Sequence, residues 1–242
     1  MTTYVLVHGG WRGGWVYQPL ATMLRARGHV VYTPSLSGSA EHSHRLNGDI
    51  TLSTHVEDLV NLIKWEQLDD IVLVGHSYGG MVITGAADRE RRHVRGLVYL
   101  DAVVPSPGKS MVEDYPAWRT AFVEAASGNR GLYMDPLPAS FFGVRPENQK
   151  LVDELSTPFP LATAIEKLAF SPETLENLPK TFVLAEGWDA NPYVINKGLA
   201  EDPAWSFHTV PVGHDLMLDA PDLVADVLTG PGARTTLLPA PS

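Results

Sequence analysis

The sequence contains no cysteine, so this chain has neither a disulfide bond nor a thiolate metal site. No apolar run approaches the ~18 residues that a membrane-spanning helix needs. Basic residues are scarce, because 18 lysines and arginines stand against 28 aspartates and glutamates, for a formal net charge of −10. Nucleic acids and anionic membranes bind basic surfaces, so we expect neither as a partner. The opening residues MTTYVLVHGG lack the basic and apolar regions of a secretory signal, and we therefore expect a cytoplasmic protein.

The 242 residues, of which 44% are hydrophobic, fit an α/β domain in which strands alternate with helices. This order predicts a mostly parallel sheet of about six strands, covered by helices on both faces. From about residue 104 the pattern changes to clustered prolines, dense aromatic residues and short helical patches. We therefore predict four parts: a first core part at 1–103, a helical cap insertion at 104–179, a second core part at 180–230 and a disordered tail at 231–242.

A strand, a G-x-S-x-G pentapeptide and a helix follow one another in the middle of the first core part. The apolar run 71–74 predicts a buried strand, and the small residues from Gly80 onward predict a helix. Between them lies Gly75-His76-Ser77-Tyr78-Gly79, the arrangement of a nucleophile elbow. Because the turn is too tight for side chains beside the serine, glycines flank it. Ser77 is therefore the predicted nucleophile.

A serine hydroxyl needs a base that takes its proton during attack, and nine histidines are available. His214 is the best candidate, because it lies on a loop just after the last predicted strand and can reach back over the elbow. We expect His8 to brace the turn after the first strand, and His55 to serve the surface of its helix. His42 and His44 form a single H-x-H on a loop, which is weak support for a metal, so no metal or cofactor is predicted.

The base in turn needs a carboxylate that orients it. We prefer Asp189, since it lies far enough into the loop after strand 181–185 to turn back toward His214. Glu186, behind the same strand, and Asp101, at the end of strand 94–100, are rivals. For the two donors that a tetrahedral oxyanion requires, we predict the backbone N–H groups of Gly10 and Tyr78.

Four stretches together resemble the α/β-hydrolase superfamily: the run from His8 to Trp15, the elbow from Gly75 to Gly80, the Asp189 loop and Gly213-His214. The branch that they resemble most contains plant methylesterases, hydroxynitrile lyases and bacterial esterase-like members. The resemblance implies the α/β-hydrolase fold, with 104–179 as the family's cap and Ser77, Asp189 and His214 as its triad. The lyases have a threonine where this chain has Gly9 and a lysine where it has Asp215, so lyase activity is not expected.

The predicted function is that of a cofactor-free serine hydrolase that cleaves a carboxylic ester of a small apolar or aromatic substrate. Aromatic and apolar side chains of the cap and the core loops are expected to line its pocket. These residues are Trp11, Trp118, Phe141, Phe142, Trp188 and Met217. A lactone, amide or carbon–carbon bond hydrolase with the same triad and a small-molecule receptor on a hydrolase scaffold remain alternatives. We expect a monomer or a homodimer.

Overall fold

A six-stranded, entirely parallel sheet forms the centre of the computed structural model, which describes residues 1–230. Its strands are β1 (Thr3–Val7), β2 (Val30–Tyr32), β3 (Ile71–His76), β4 (Val94–Leu100), β7 (Lys180–Ala185) and β8 (Trp205–Val210), and a separate pair consists of β5 (Tyr133–Met134) and β6 (Phe159–Pro160). The strands of the large sheet follow the order β2-β1-β3-β4-β7-β8. The predicted sheet is therefore confirmed. The predicted tail, 231–242, lies outside the described residues.

The central strands are buried along their whole length, as their apolar composition requires. Every residue of β3 is buried, which means that the sheet is covered on both faces. Since all neighbours run parallel, with Leu6 opposite Val74 and Val74 opposite Val98, the carboxyl ends of β1, β3 and β4 reach one edge of the sheet. Ligands bind beyond this edge in folds of this type.

The helices of the core pack against the sheet in two groups. They are α1 (Gln18–Ala26), α2 (Leu52–Trp65), α3 (Gly79–Arg89), α9 (Leu216–Asp219) and α10 (Pro221–Thr229). α2 packs against α3, and α1 packs against α9 and α10. Each group buries an apolar stripe with helical spacing, such as Val56, Leu59 and Ile63 in α2. Among residues 1–230, no helix combines the length and the apolar character needed to cross a membrane.

Residues 104–179, here called the cap segment, contain short helices and one small sheet. The helices are α4 (Met111–Asp114), α5 (Ala117–Ser127), α6 (Pro146–Leu155), α7 (Ala162–Ile165) and α8 (Pro172–Leu175). The sheet pairs β5 (Tyr133–Met134) with β6 (Phe159–Pro160) in antiparallel order, two strands that the sequence pattern did not predict because each is only two residues long. Trp11 joins the cap segment to the core, donating from Nε1 to the Met134 carbonyl and accepting at its own carbonyl from the Thr157 N–H.

Short 3₁₀ helices occupy several connections within residues 1–230. They are Gly14–Tyr17, Ala40–Arg45, Arg91–His93, Ala139–Phe142 and Pro192–Glu201. The last of them follows β7 and carries two residues that reach the sheet edge, Asn191 at its N-cap and Tyr193 in its first turn. This connection therefore contributes to the site described next.

Candidate active site

Ser77 occupies a strained turn between β3 and α3. Its φ is +53°, in the left-handed region that a serine rarely adopts. Its carbonyl accepts hydrogen bonds from the N–H groups of Gly80 and Val103, which hold this conformation. A Cβ on Gly75 would lie 2.6 Å from the Gly79 carbonyl oxygen, so the turn closes only because residue 75 has no side chain. The predicted elbow is present in the structure, with Ser77 8% exposed.

His214 lies against Asp101, the residue that directly follows β4. The Nδ1 atom of His214 is 2.6 Å from Oδ2 of Asp101, and both side chains are buried. The other carboxylate oxygen, Oδ1, accepts hydrogen bonds from the Ala185 N–H at 3.1 Å and from Asn191 Nδ2 at 2.8 Å. With both oxygens bonded, Asp101 is fixed in place, and the imidazole is oriented with Nδ1 toward the carboxylate.

The prediction that Asp189 orients His214 is therefore wrong, and the rival Asp101 has that position. Asp189 and Glu186 are both exposed. In the loop after β7 it is Trp188 that turns inward, with its ring 4.7 Å from the His214 ring, so the next residue faces solvent. β4 lies directly beside β3 in the sheet, whereas β7 is one strand farther away. The end of β4 is therefore nearer to the elbow that carries Ser77.

Backbone contacts hold the His214 loop. The His214 N–H donates to the Phe142 carbonyl at 2.9 Å, and its own carbonyl accepts from His76 Nε2 at 3.0 Å. His76 Nδ1 is buried with no hydrogen-bond partner among the described residues. Burial, followed by the nearby His214, lowers the pKa of His76 well below 6.5, so its imidazole is neutral. His76 thus serves the loop as a hydrogen-bond donor.

Tyr193 also reaches the nucleophile, which the sequence pattern did not predict. Its hydroxyl oxygen is 3.1 Å from Ser77 Oγ. The tyrosine ring stacks on His214, with centroids 5.5 Å apart and planes 13° from parallel. Asn191 followed by Pro192 predicts the start of a helix. Nothing in that signal indicates that the next side chain points back to the elbow, because the direction depends on the path of the loop.

Gly10 and Tyr78, the predicted oxyanion donors, line the same small cavity as Ser77. Neither backbone N–H has a hydrogen-bond acceptor within residues 1–230. His8 braces the Gly9-Gly10 turn, since its Nδ1 donates to the Gly9 carbonyl and its Nε2 accepts from the Leu36 N–H. Burial lowers the pKa of His8 to about 4. Its imidazole therefore stays neutral and can donate from one nitrogen while it accepts at the other.

His55 is fully buried beneath the elbow, so the prediction of a surface role is wrong. Its Nε2 donates to the Ser37 carbonyl, and its Nδ1 accepts from the Tyr78 hydroxyl at 3.0 Å. Burial lowers the pKa of His55 to about 4. Its helical spacing, four residues before Leu59 on the inward face of α2, was the signal that could have placed it in the core.

The cavity beside Ser77 is apolar and small. It offers about 10 Å³ of free space, close to the minimum that a single water molecule needs. Its lining residues come from the core loops, the elbow and the cap segment: Gly10, Trp11, Ser77, Tyr78, Met111, Trp118, Phe122, Met134, Phe159 and Ala164. A molecule larger than water fits only if cap side chains move outward.

The six predicted pocket residues occupy different places. Trp11 and Trp118 line the cavity. Phe142 and Trp188 pack against the His214 ring, at centroid distances of 5.5 Å and 4.7 Å. Phe141 is 41% exposed and contacts Trp118 from the outside. Met217 is fully buried in α9 and is absent from the cavity lining, so the structure does not support its assignment to the pocket.

The two positions that distinguish this chain from the lyases have structural roles. Asp215 forms a fully buried ion pair with Arg12, at 2.8 Å between Oδ2 and Nη2. Burial raises the pKa of Asp215, but the charge and hydrogen bond of Arg12, together with His76 and His214, outweigh it and lower the pKa to about 2. A Cβ on Gly9 would lie 2.6 Å from Ser77 Cβ, so no larger residue fits there without a shift of the elbow. Within the described chain, no cluster of three or more metal-ligating side chains is formed.

Comparison with known proteins agrees with this geometry. A sequence model of the alpha/beta hydrolase family matches residues 4–227. The chain is 38% identical to a carbendazim hydrolyzing esterase of Nocardioides sp. (strain SG-4G) over 242 residues, covering 96% of this chain and 100% of that protein. It is 27% identical to salicylic acid-binding protein 2 of Nicotiana tabacum over 235 residues, covering 92% and 90%.

Among solved structures, an extracellular alpha/beta-hydrolase from a Paenibacillus species superposes with a TM-score of 0.82. The match covers 94% of this chain and 98% of that chain at 24% identity, and at this identity it concerns the fold alone. The family match and the 38% identical relative, each spanning nearly the whole chain, settle the classification. This chain belongs to the alpha/beta hydrolase family.

Proposed function

We propose that this protein is a serine hydrolase that cleaves carboxylic esters through an acyl-enzyme on Ser77. The observation that carries the proposal is the buried Asp101–His214 pair, 2.6 Å apart, in the same site as a serine held at positive φ on the elbow. The 38% identity to an esterase over nearly the whole chain supports the reaction class.

In the acylation step, the Ser77 hydroxyl donates its proton to His214 Nε2. Because the Nδ1 side of His214 is engaged by Asp101, Nε2 is the nitrogen left to accept the proton. Ser77 Oγ then forms a bond to the ester carbonyl carbon, and the carbonyl oxygen becomes negative. The N–H groups of Gly10 and Tyr78 donate to that oxygen, and the N-terminal end of α3 adds favourable electrostatics.

Collapse of the tetrahedral intermediate breaks the bond to the alcohol, which takes its proton from His214. Water then replaces the alcohol, gives a proton to His214 Nε2 and attacks the acyl carbon. Breaking the bond between that carbon and Ser77 Oγ releases the acid and restores the serine. The buried Asp101 carboxylate stabilises the imidazolium during both half-reactions.

The substrate class follows from the lining of the cavity. Trp11, Trp118, Phe122 and Phe159 present aromatic surface and no charged side chain next to Ser77. An apolar or aromatic acyl group gains from burial there, whereas a charged one loses its hydration without a partner. We therefore assign small uncharged esters, aromatic ones included, as substrates. Carbendazim belongs in the first test panel, because the 38% identical relative is named for hydrolysing it.

The test is a panel of p-nitrophenyl acetate, p-nitrophenyl hexanoate, methyl benzoate and carbendazim, with the wild type and Ser77→Ala measured side by side. We expect hydrolysis of at least one ester by the wild type and a loss of several orders of magnitude in Ser77→Ala. Unchanged turnover in Ser77→Ala would refute the acyl-enzyme. Turnover of none of the four compounds by the wild type would contradict the proposed ester hydrolysis.

A further inference from the structure

Tyr193 is a buried polar group for which the mechanism above has no role. Its hydroxyl oxygen lies 3.1 Å from Ser77 Oγ, the atom that forms and loses the bond to the acyl group. Burial raises the pKa of Tyr193, and the hydrogen bond to Ser77 offsets this only in part. The hydroxyl therefore keeps its proton over the whole working pH range and is available as a donor.

The position of Tyr193 is fixed by the same residues that fix the histidine. The Tyr193 N–H donates to Asn191 Oδ1 at 2.8 Å, and Asn191 Nδ2 donates to Asp101 Oδ1 at 2.8 Å. The tyrosine ring stacks on His214. The hydroxyl is thus held relative to the Asp101–His214 pair by two short hydrogen bonds and a ring contact, which is the preorganisation expected of a group that acts on a reacting atom.

The geometry points to Tyr193 as a further catalytic residue, whose hydroxyl donates a hydrogen bond to Ser77 Oγ when that atom is expelled in deacylation. This inference rests on the proposed function, since it concerns the fate of the acyl-enzyme on Ser77. In the resting enzyme the two hydroxyls share one hydrogen bond. Once the Ser77 hydroxyl gives its proton to His214, the Tyr193 hydroxyl is the one that donates to Ser77 Oγ.

In deacylation, negative charge moves from the oxyanion to Ser77 Oγ. Water has added to the acyl carbon, its proton is on His214 Nε2, and the negative charge is on the oxyanion. Collapse breaks the bond between the carbon and Ser77 Oγ, and the electron pair of that bond moves onto Oγ. The proton of His214 then passes to Oγ. Tyr193 keeps its own proton and stabilises the charge that builds on Oγ before the transfer is complete.

The same hydrogen bond has less effect on acylation, because the Ser77 hydroxyl already makes it in the resting enzyme, whereas the ester oxygen of the acyl-enzyme is a weak acceptor and gains the bond only as it is expelled. A donor on Oγ in the resting state even competes for the lone pair that attacks. The contribution of Tyr193 is therefore expected to be larger in deacylation, which is the differential stabilisation that accelerates a step.

The experiment compares wild type, Tyr193→Phe and Tyr115→Phe with p-nitrophenyl acetate at saturation. Tyr115→Phe is the matched control, because Tyr115 is buried in the same aromatic cluster, 5.2 Å from the Tyr193 ring, and bonds to Asn196 and Val104 instead of Ser77. Rapid-quench intact mass gives the fraction of enzyme that carries an acetyl group. That fraction and kcat together give the acylation and deacylation rate constants, whichever step is slower.

We expect Tyr193→Phe to slow deacylation by about 10- to 100-fold and to change acylation by less than about threefold, so that acetyl-enzyme accumulates. Tyr115→Phe should leave the ratio of the two constants unchanged. An unchanged deacylation constant in Tyr193→Phe, or an equal loss in both constants, would overturn the inference. If Tyr193→Phe does not fold, Tyr193→Met removes the hydroxyl at similar volume. The ratio of its deacylation and acylation rate constants then tests the inference in the same way.

Failure of this inference and failure of the proposed function give different results. Ser77→Ala, measured beside these variants, tests the function itself: it should carry no acetyl group and show no turnover above background. If Ser77→Ala is inactive while Tyr193→Phe has wild-type constants, the serine hydrolase stands and the role of Tyr193 falls. If Ser77→Ala stays active, the serine mechanism falls first.

Discussion

His214 has two contrasting surroundings. On the side of the sheet edge it meets Asp101, whose carboxylate is also bonded by Asn191, and its carbonyl accepts from His76. On the other side it meets aromatic rings, with Phe142 and Trp188 within 5.5 Å and 4.7 Å of its own ring. The first surroundings are polar and fixed by directional bonds. The second are apolar, and the rings contact His214 by packing alone.

The polar and the aromatic surroundings of His214 tolerate different substitutions. A buried hydrogen-bond network loses much when one member is removed, because its partner is left unsatisfied. Packed aromatic rings lose mainly contact area and can be replaced by shapes of similar volume. We therefore expect the sheet-edge side to set whether the enzyme works, and the aromatic side to set which ester it accepts.

The largest expected effect is on the polar side. Asp101→Asn keeps the shape but cannot stabilise an imidazolium, so kcat/KM should fall by about 10³- to 10⁴-fold. Asp189→Asn, in an exposed loop residue, is the control and should change kcat/KM by less than about twofold. Ester hydrolysis by the purified variants measures both. A larger loss in Asp189→Asn than in Asp101→Asn would reverse the assignment of the acid.

The next largest effect concerns the buried ion pair that anchors the residue after His214. Asp215→Asn leaves the Arg12 guanidinium buried without a counter-charge, and should lower the free energy of unfolding by about 3–5 kcal/mol. The double variant Arg12→Met/Asp215→Leu should recover much of that loss, since no charge remains buried. Urea unfolding of the three proteins checks this. A double variant as unstable as Asp215→Asn would show that the pair acts in some other way.

Two buried histidines near the elbow, His8 and His55, should make the stability of the protein depend on pH. The folded-state pKa values of His8 and His55 are about 4, and an unfolded histidine titrates near ~6.5. Between these values only the unfolded state binds the proton, so the stability present above ~6.5 is lost as pH falls toward 4. Each such histidine contributes a slope of about 1.4 kcal/mol per pH unit.

The test is urea unfolding of wild type and His55→Gln between pH 7 and pH 4. His55→Gln should reduce the slope by about one proton, whatever it does to the absolute stability. His44→Gln, at an exposed position, is the comparison variant. A slope that is unchanged in His55→Gln would mean that this side chain is not held neutral in the fold.

The smallest expected effect is on the aromatic side, at Trp118, whose ring contacts both Phe142 and Trp188. Trp118→Ala removes a ring that lines the Ser77 cavity and should raise KM for p-nitrophenyl esters by about 5- to 10-fold while kcat changes less. Phe141→Ala, at a 41% exposed ring, should change KM by less than about twofold. Steady-state kinetics over an ester series checks both. A collapse of kcat in Trp118→Ala would contradict the division of roles.

The contrast also explains what the sequence predicts well. The elbow around Ser77 depends on a local pattern, since strand, glycines and helix lie within a dozen residues. His214 follows a strand end, and the parallel sheet brings that end to the common edge. Such features need only local geometry and the topology of the sheet.

The wrong or missing predictions concern residues whose position depends on the path of a loop. Asp101 and Asp189 both follow strands, and the choice between them depends on the inward turn of Trp188. Tyr193 reaches Ser77 because Asn191 fixes the loop from within the core. No residue spacing encodes either event. His55 is a different case from Asp101 and Tyr193, because its spacing along α2 places it on the inward face of the helix and did indicate burial.

The central claim is that Ser77 becomes acylated in a site served by His214. The most direct measurement is inactivation by phenylmethylsulfonyl fluoride, followed by peptide mass spectrometry and compared with Ser77→Ala. The account predicts loss of ester hydrolysis in step with one added sulfonyl group on the peptide that contains Ser77, and no such addition in the variant. Full activity with Ser77 modified, or inactivation by labelling of another residue alone, would contradict it.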